Sequence, residues 1–330
     1  MTEKLRYLIT GGAGFVGSHL SARLLDEGHR VTVIDDLSTG AWRNIAPLEG
    51  NADFRAVIAD MNDADLLDAE VSRADFVFHL ASAVGVRLVV ERPVETIRRI
   101  VEPTERLTDV CSKYRKPILL TSTSEVYGIS ERIPFREEDP VVIGATVKPR
   151  WAYASAKMLD EFYLLAHHKE TALPVFIVRL FNTVGARQTG KYGMVLPRFV
   201  AAALAGDPLV VHGDGAQKRC FCSVLDAVEG LIRVSRTPEA AGTVMNLGSD
   251  VEIAIGDLAR RVVELTGSAS PIVRKSYEEV FGPDFEDMRR RVPSLERARR
   301  LIGWKPVYTI DDIVRQVIDD QQKRRTDNHD

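Results

Sequence analysis

Up to residue 180 the chain alternates short apolar runs with longer stretches whose apolar residues recur every three or four positions. Leu5–Thr10, Val31–Ile34, Phe54–Ala59, Phe76–Leu80, Pro117–Ser122 and Val175–Leu180 are apolar or β-branched runs of strand length, which predicts buried strands. Between them, Ser18–Glu27 carries Leu20, Leu24 and Leu25 on one side and stops at Gly28, which predicts a helix. Asp65–Glu70, the stretch from about Glu91 to Tyr114, and Ala152–His168 read as helices in the same way. Strands alternating with helices predict a parallel sheet covered by helices on both faces.

Beyond Leu180 the alternation fades and Gly and Pro become frequent as far as about Gly215. Helical patterns return at Pro197–Ala205, Val224–Val234 and Ile255–Leu265, and Val244–Leu247 reads as an extra strand. Phe281–Asp287 reads as a polar loop that leads into a basic helix and the closing Gly303-Trp304-Lys305-Pro306. The charged tail Asp319–Asp330 is expected to fray. The predicted organisation is a nucleotide-binding domain over residues 1–180 and a smaller α/β lobe over 181–330. The boundary is soft, because segments of the second part can interleave with the first.

Composition narrows the class. Hydrophobic residues make up 45% of 330 positions, enough for a core. A net charge of -3 argues against nucleic acid as the main partner, although Arg289–Arg291 and Arg297–Arg300 form local basic clusters. Three cysteines imply no disulfide framework and fit a cytoplasmic location. Cys220 and Cys222, placed on one strand, would share a face; with no further ligands near them, packing is the expected role and no metal is expected. Met1-Thr2-Glu3-Lys4 runs straight into the first strand and no run of about 18 apolar residues exists, so neither a signal peptide nor a membrane span is expected.

Two constellations carry chemistry. Gly11-Gly12-Ala13-Gly14-Phe15-Val16-Gly17 follows a strand, opens a helix, and precedes an acid, Asp35, by 18 residues. Glycine permits the tight turn and the close approach of backbone to a pyrophosphate at the positive end of the helix. Gly11, Gly14, Phe15, Val16 and Gly17 are therefore candidate cofactor contacts. Asp35 at the next strand's end would accept hydrogen bonds from ribose hydroxyls and repel a 2′-phosphate, which favours NAD over NADP. Asp36 is placed to share that role, and Asp60 to border the adenine or cap a helix. The second constellation is Tyr153-Ala154-Ser155-Ala156-Lys157, with phenol and ammonium four positions apart on one helical face. A nearby cation lowers the pKa of a phenol, which can then take a hydroxyl proton while hydride leaves the same carbon. Thr121-Ser122-Thr123-Ser124-Glu125 sits at a strand's carboxyl end, where such sheets place ligands.

With these elements in order, the chain resembles the extended short-chain dehydrogenase/reductase family, namely its nucleotide-sugar epimerases, dehydratases and decarboxylases. The matching stretches are TGGAGFVGSHL, DDLSTG, FHLAS, TSTSEVYG, YASAK, VRLFNTVGARQTG, GDGAQKRCF and GWKP, spread over about Leu5 to Pro306. The resemblance implies a Rossmann-type doubly wound sheet, a tightly held NAD contacted also by Leu80 and Ala81, a UDP-sugar substrate between the lobes, and a homodimer paired through the helices around Glu91–Tyr114 and Ala152–His168. It implies Tyr153, Lys157 and Thr123 as the proton-transfer group, and Asn182, Arg187, Arg219 and Arg291 as substrate contacts.

Thr123-Ser124-Glu125 followed by Val-Tyr-Gly is similar to the UDP-glucuronate decarboxylases, whereas Ser124 stands where a 4,6-dehydratase has its acid. In the decarboxylase reading Thr123 and Ser124 hydrogen-bond the C4 oxygen, Glu125 orients the sugar or a water near C5, and Arg291 holds the carboxylate or stabilises charge. The stretches Asp35–Gly40, Arg179–Gly185 and Tyr192–Pro197 are similar to UDP-sugar 4-epimerases, which keeps epimerisation of UDP-glucose or UDP-glucuronate as the alternative. A non-catalytic NAD-binding protein on the same fold is a further alternative.

Overall fold

The computed structural model describes residues 3–82, 92–190, 194–276, 279 and 290–327. The first part of the chain folds as β1 (Arg6–Thr10), α1 (Phe15–Asp26), β2 (Arg30–Asp35), β3 (Phe54–Ile58), α2 (Ala64–Arg73), β4 (Phe76–His79), α3 (Pro93–Tyr114), β5 (Ile118–Thr123), α4 (Trp151–Thr171) and β6 (Val175–Leu180). Helix α1 starts at Phe15 rather than Ser18, because Gly14 is already extended and serves as its N-cap. Glu91, Phe281–Asp287, Arg289, Tyr192 and Gly193 lie outside the described residues.

Alternate strand positions enter opposite layers. Tyr7, Ile9, Val31, Val33, Phe76, Phe78, Phe176 and Val178 pack into one core layer, together with Leu20 and Leu24 of α1. Leu8, Ile34, Val77, Ile118, Leu120, Val175 and Ile177 pack into the other, against Leu67, Leu107 and Leu164 of α2, α3 and α4. The period-two alternation of side chains makes each strand a divider between two apolar layers. Each such side chain, fully buried, contributes roughly 1.5–3 kcal/mol.

After β6 come β7 (Thr183–Val184), α5 (Val195–Ala205), β8 (Leu209–His212), β9 (Lys218–Cys220), β10 (Cys222–Ser223), α6 (Val224–Ser235), β11 (Thr243–Leu247), β12 (Glu252–Ala254), α7 (Ile255–Thr266), β13 (Ile272–Lys275), α8 (Glu296–Ile302) and α9 (Ile310–Asp327). Strand β11 pairs in parallel with β6, from Thr243 opposite Phe176 to Leu247 opposite Leu180. It completes a seven-stranded sheet in the order β11-β6-β5-β4-β1-β2-β3. Helix α6 and Trp304 pack into the layer that holds α1. The 181–330 segment thus contributes to both lobes. Its own core gathers α5, α7, α9 and β8 around Phe199, Leu258, Val262 and Val314.

Three local expectations are revised. The tail is helical through Asp327 rather than frayed: Arg325 donates to the carbonyls of Leu204 and Ala201, Gln321 to that of Pro197, and Arg324 pairs with Asp320. Among the described residues the basic helix spans Glu296–Ile302, and Arg290 and Arg291 lie in non-helical chain before it. Cys220 and Cys222 belong to different pairings, β9 with β12 and β10 with β7, rather than to one strand. All three cysteines are buried and free.

Candidate active site

The reversal of strand order between β1 and β4 opens a crevice at the carboxyl ends of the sheet, where loops from adjacent strands diverge. The glycine loop after β1 and the chain after β4 meet there. Gly11 adopts φ +71°, and a Cβ on it would lie 2.7 Å from the backbone nitrogen of Ala81. At Gly17 a Cβ would fall 2.3 Å from the carbonyl oxygen of Gly11, so the helix start is pressed onto the loop. No side chain caps α1, and its first amides have no acceptor within the helix. They line a cavity of about 670 Å³ together with Gly11, Gly14, Asp35, Leu80 and Ala81.

Asp35 is 7% exposed, and burial pushes its carboxyl upward, opposed by backbone N–H donors. The amide of Leu37 donates to Oδ1 at 2.8 Å and that of Ala13 to Oδ2 at 2.9 Å. A carboxylate accepts about four hydrogen bonds, so capacity remains toward the cavity. Asp36 is exposed and accepts from the amide of Ser38, and Asp60 accepts from Asn62; neither lines the cavity. Asn44, unforeseen from sequence, ties the loop by donating to the carbonyl of Ala13 at 2.9 Å.

Contacts order the remaining groups along the same cavity. Tyr153 stands on the first turn of α4, its hydroxyl beside Thr123. Burial raises its pKa, and the negative charges of Glu125 and Asp160 add to that effect. Thr123 ends β5 and also accepts from the amide of Glu125 at 3.2 Å, holding the short turn Ser124–Tyr127. Ser124 is buried and lines the cavity. Glu125 pairs with Arg291 Nη1 and lies 3.7 Å from Arg150 Nη2. Burial pushes its carboxyl up, but Arg291, Arg150 and Arg219 outweigh burial and hold it below the usual carboxylate range. Arg150 was not foreseen; its place one helical turn before Tyr153 was the signal available.

Asn182 lines the cavity at φ +30° and donates from Nδ2 to the carbonyl of Cys220 at 3.0 Å. Arg187 also lines it, with burial lowering its pKa. Arg219 is half-buried, donates to the carbonyl of Lys218, and influences Glu125 without lining the cavity.

Lys157 departs from expectation. It is 1% exposed, does not line the cavity, and holds Asp160 Oδ2 at 3.0 Å. The cation expected to lower the Tyr153 pKa is answered by a carboxylate three residues along the same helix. Deeper in the wall, Glu161 accepts from Arg179 at 2.7 Å and from the Ser122 hydroxyl, fixing α4 on the sheet. Among the described residues no cluster of three His, Cys, Asp or Glu is placed to hold a metal ion.

The profile of the family described as "NAD dependent epimerase/dehydratase family" matches residues 7–248. The "UDP-N-acetyl-alpha-D-glucosaminuronate decarboxylase" of Bacillus cytotoxicus is 40% identical over 305 residues, covering 92% of this chain and 93% of that protein. "UDP-glucuronic acid decarboxylase 1" of Xenopus tropicalis is 33% identical, covering 96% of this chain and 72% of that protein. Among solved structures, UDP-glucuronic acid 4-epimerase from Bacillus cereus, in complex with UDP-glucuronic acid and NAD, superposes with a TM-score of 0.87 at 26% identity, covering 97% of this chain and 100% of that one.

Proposed function

Since the chain belongs to the NAD dependent epimerase/dehydratase family, we propose that it is an NAD-dependent decarboxylase of a UDP-linked hexuronate, with UDP-glucuronate the first substrate to test. The observation that carries this reading is Glu125 held between Arg291 and Arg150 beside Tyr153. Guanidiniums gathered beside the proton-transfer group suit a substrate with its own carboxylate and a diphosphate.

The residues fit NAD. The Cβ-free cradle with its uncapped helical amides would hold a pyrophosphate, and Asp35, with acceptor capacity left, would accept from ribose hydroxyls. When bound, NAD supplies the acceptor for the C4 hydride and the donor for its return. Tyr153 takes the C4 hydroxyl proton and later returns it, while Thr123 and Ser124 hold the C4 oxygen. Once C4 is a ketone, the C6 carboxylate is β to it. The C5–C6 bond then breaks, carbon dioxide leaves, and the bonding pair enters an enolate that is protonated at C5. Glu125 orients the sugar or a water for that protonation, and Arg291 with Arg150 holds the carboxylate until it leaves. Asn182 and Arg187, on the cavity wall, bind the diphosphate, and Arg219 outside that wall adds a favourable positive field.

The chain acts in the cytoplasm as a homodimer in this reading. Ile97, Leu159 and Phe162 are 43%, 51% and 63% exposed on the adjoining helices α3 and α4, an apolar face of the kind that pairs copies. Among the described residues no helix is long and apolar enough to cross a membrane.

Incubation with NAD and UDP-glucuronate, and in parallel UDP-N-acetylglucosaminuronate, is expected to release carbon dioxide and leave a UDP-pentose from at least one of them. UDP-galacturonate without carbon dioxide would instead establish 4-epimerisation, the second reading, which the Bacillus cereus structure favours. Neither product from a protein that binds NAD would overturn both readings and leave a nucleotide-sugar dehydratase or a non-catalytic role.

A further inference from the structure

Asp160 is a buried acid for which the proposed chemistry has no use. Its side chain is 1% exposed and that of Lys157 is 2% exposed, so bulk solvent screens the pair little. The pair ends a chain of polar groups through the packed interior. Thr10, the last residue of β1 before the glycine loop, has its hydroxyl oxygen 2.7 Å from His79 Nδ1. His79 Nε2 lies 2.9 Å from the Thr104 hydroxyl of α3, and that hydroxyl stands beside Asp160. Thr104 has one hydrogen to offer, and the Ile100 carbonyl at 2.7 Å accepts it. His79 is fully buried, and burial holds its pKa down to about 3, so it brings no charge. The only full positive charge in contact with Asp160, among the described residues, is Lys157.

We propose that Asp160 is a positioning residue for Tyr153: by holding the Lys157 ammonium against its own carboxylate, it cancels most of the cationic field that the lysine would otherwise exert on the phenol. Tyr153 therefore keeps its proton to higher pH than a tyrosine–lysine pair alone would allow. The inference rests on Tyr153 being the proton-transfer group. The physical reason is distance and dielectric. A carboxylate and an ammonium 3.0 Å apart look from a third site like a dipole, whose influence falls off faster than that of a single charge. Among the described residues, the other groups facing the trio come from four elements and the chain after β4. Glu105 and Thr104 approach from α3, His79 from β4, and Ser82 from the chain after it. Thr123 and Glu125 approach from β5 and its following turn, with Arg291 and Arg150 behind Glu125. From β6, Arg179 is engaged by Glu161 and brings no free charge.

The test is a titration that needs no turnover. Near-ultraviolet phenolate absorbance is followed against pH for the full chain, and the Tyr153 signal is isolated by subtracting the Tyr153→Phe protein. The same subtraction is made in Asp160→Asn. Removing the carboxylate is expected to lower the Tyr153 midpoint by about one unit or more, and to move the acid limb of kcat/KM for the oxidation step by the same amount. Asp160→Glu, which keeps the charge, should restore the parent midpoint. A purely structural role would lower the melting temperature without moving either profile. An unchanged or higher midpoint in Asp160→Asn overturns the proposal. If the Asn protein does not fold, Asp160→Ser is read in its place. The titration uses no sugar, so a wrong substrate assignment leaves its outcome intact.

Discussion

Replacing Gly17 with alanine, alongside the same change at Gly14, probes how the cofactor cradle is built. Gly17 lies in the first turn of α1, where in an open helix alanine would be favoured over glycine by roughly 1 kcal/mol, whereas Gly14 is the extended N-cap before it. The surroundings differ. A Cβ at Gly17 would lie 2.3 Å from the Gly11 carbonyl oxygen and 2.8 Å from the Gly12 Cα, all backbone that cannot rotate away. A Cβ at Gly14 would lie 3.0 Å from the same oxygen, with nothing else nearer than 4.0 Å. Relieving the Gly17 contact means opening the loop-to-helix gap from 2.3 Å to beyond 3.0 Å. Overpacking of that kind costs about 1–3 kcal/mol. After the helix-propensity gain is set against it, Gly17→Ala should lose up to roughly 2 kcal/mol of NAD binding free energy, as much as about 30-fold in affinity. Gly14→Ala should lose little. Calorimetric titration of each protein with NAD, with thermal melts alongside, measures this. Equal affinities for Gly17→Ala and the parent, at unchanged melting temperature, would refute the claim that the helix start is clamped onto the loop.

Two other predictions follow from the site and the surface. Glu125 has its carboxyl held below the ordinary value of 4.5, so it contributes stability that is present above that value and is lost as pH falls through its lower folded one. Denaturant titrations at neutral pH and near pH 4 should therefore show the parent losing more stability on acidification than Glu125→Gln; parallel losses would mean that the arginines do not hold the charge. Leu159→Asp combined with Phe162→Asp, at positions 51% and 63% exposed, should convert a two-chain sedimenting species into a single chain with its melting temperature within a few degrees; an unchanged mass would move the interface elsewhere.

Much of the architecture is local in origin and was readable from the chain. The apolar runs that became β1, β2, β4, β5 and β6 are continuous because a parallel strand buries both faces, so composition alone marks them. The glycine loop and Asp35 were legible because a tight turn, a close backbone approach and a ribose contact each demand a residue type at a fixed spacing. Tyr153, Thr123 and Glu125 were legible for the same reason, and the fold brings them to one cavity.

What remained hidden was set by distance along the chain. Strand β11 closes the β6 edge of the sheet, pairing with residues more than 60 positions earlier. The tail is helical because Arg325 and Gln321 find carbonyls on α5, which no local pattern announces. Arg291 meets Glu125 across 166 positions. Asp36 and Asp60 sat in plausible places and point elsewhere, since their nearest backbone amides claim them. The sequence by itself determined which residue types could bind a dinucleotide and move a proton, because those are questions of chemistry and short-range spacing. Only the tertiary structure decided what charge each group faces. Asp160 is three residues from Lys157 on a helix that any reading would draw, but the pairing matters only because the fold seals both from water, and burial is a property of the whole packed chain.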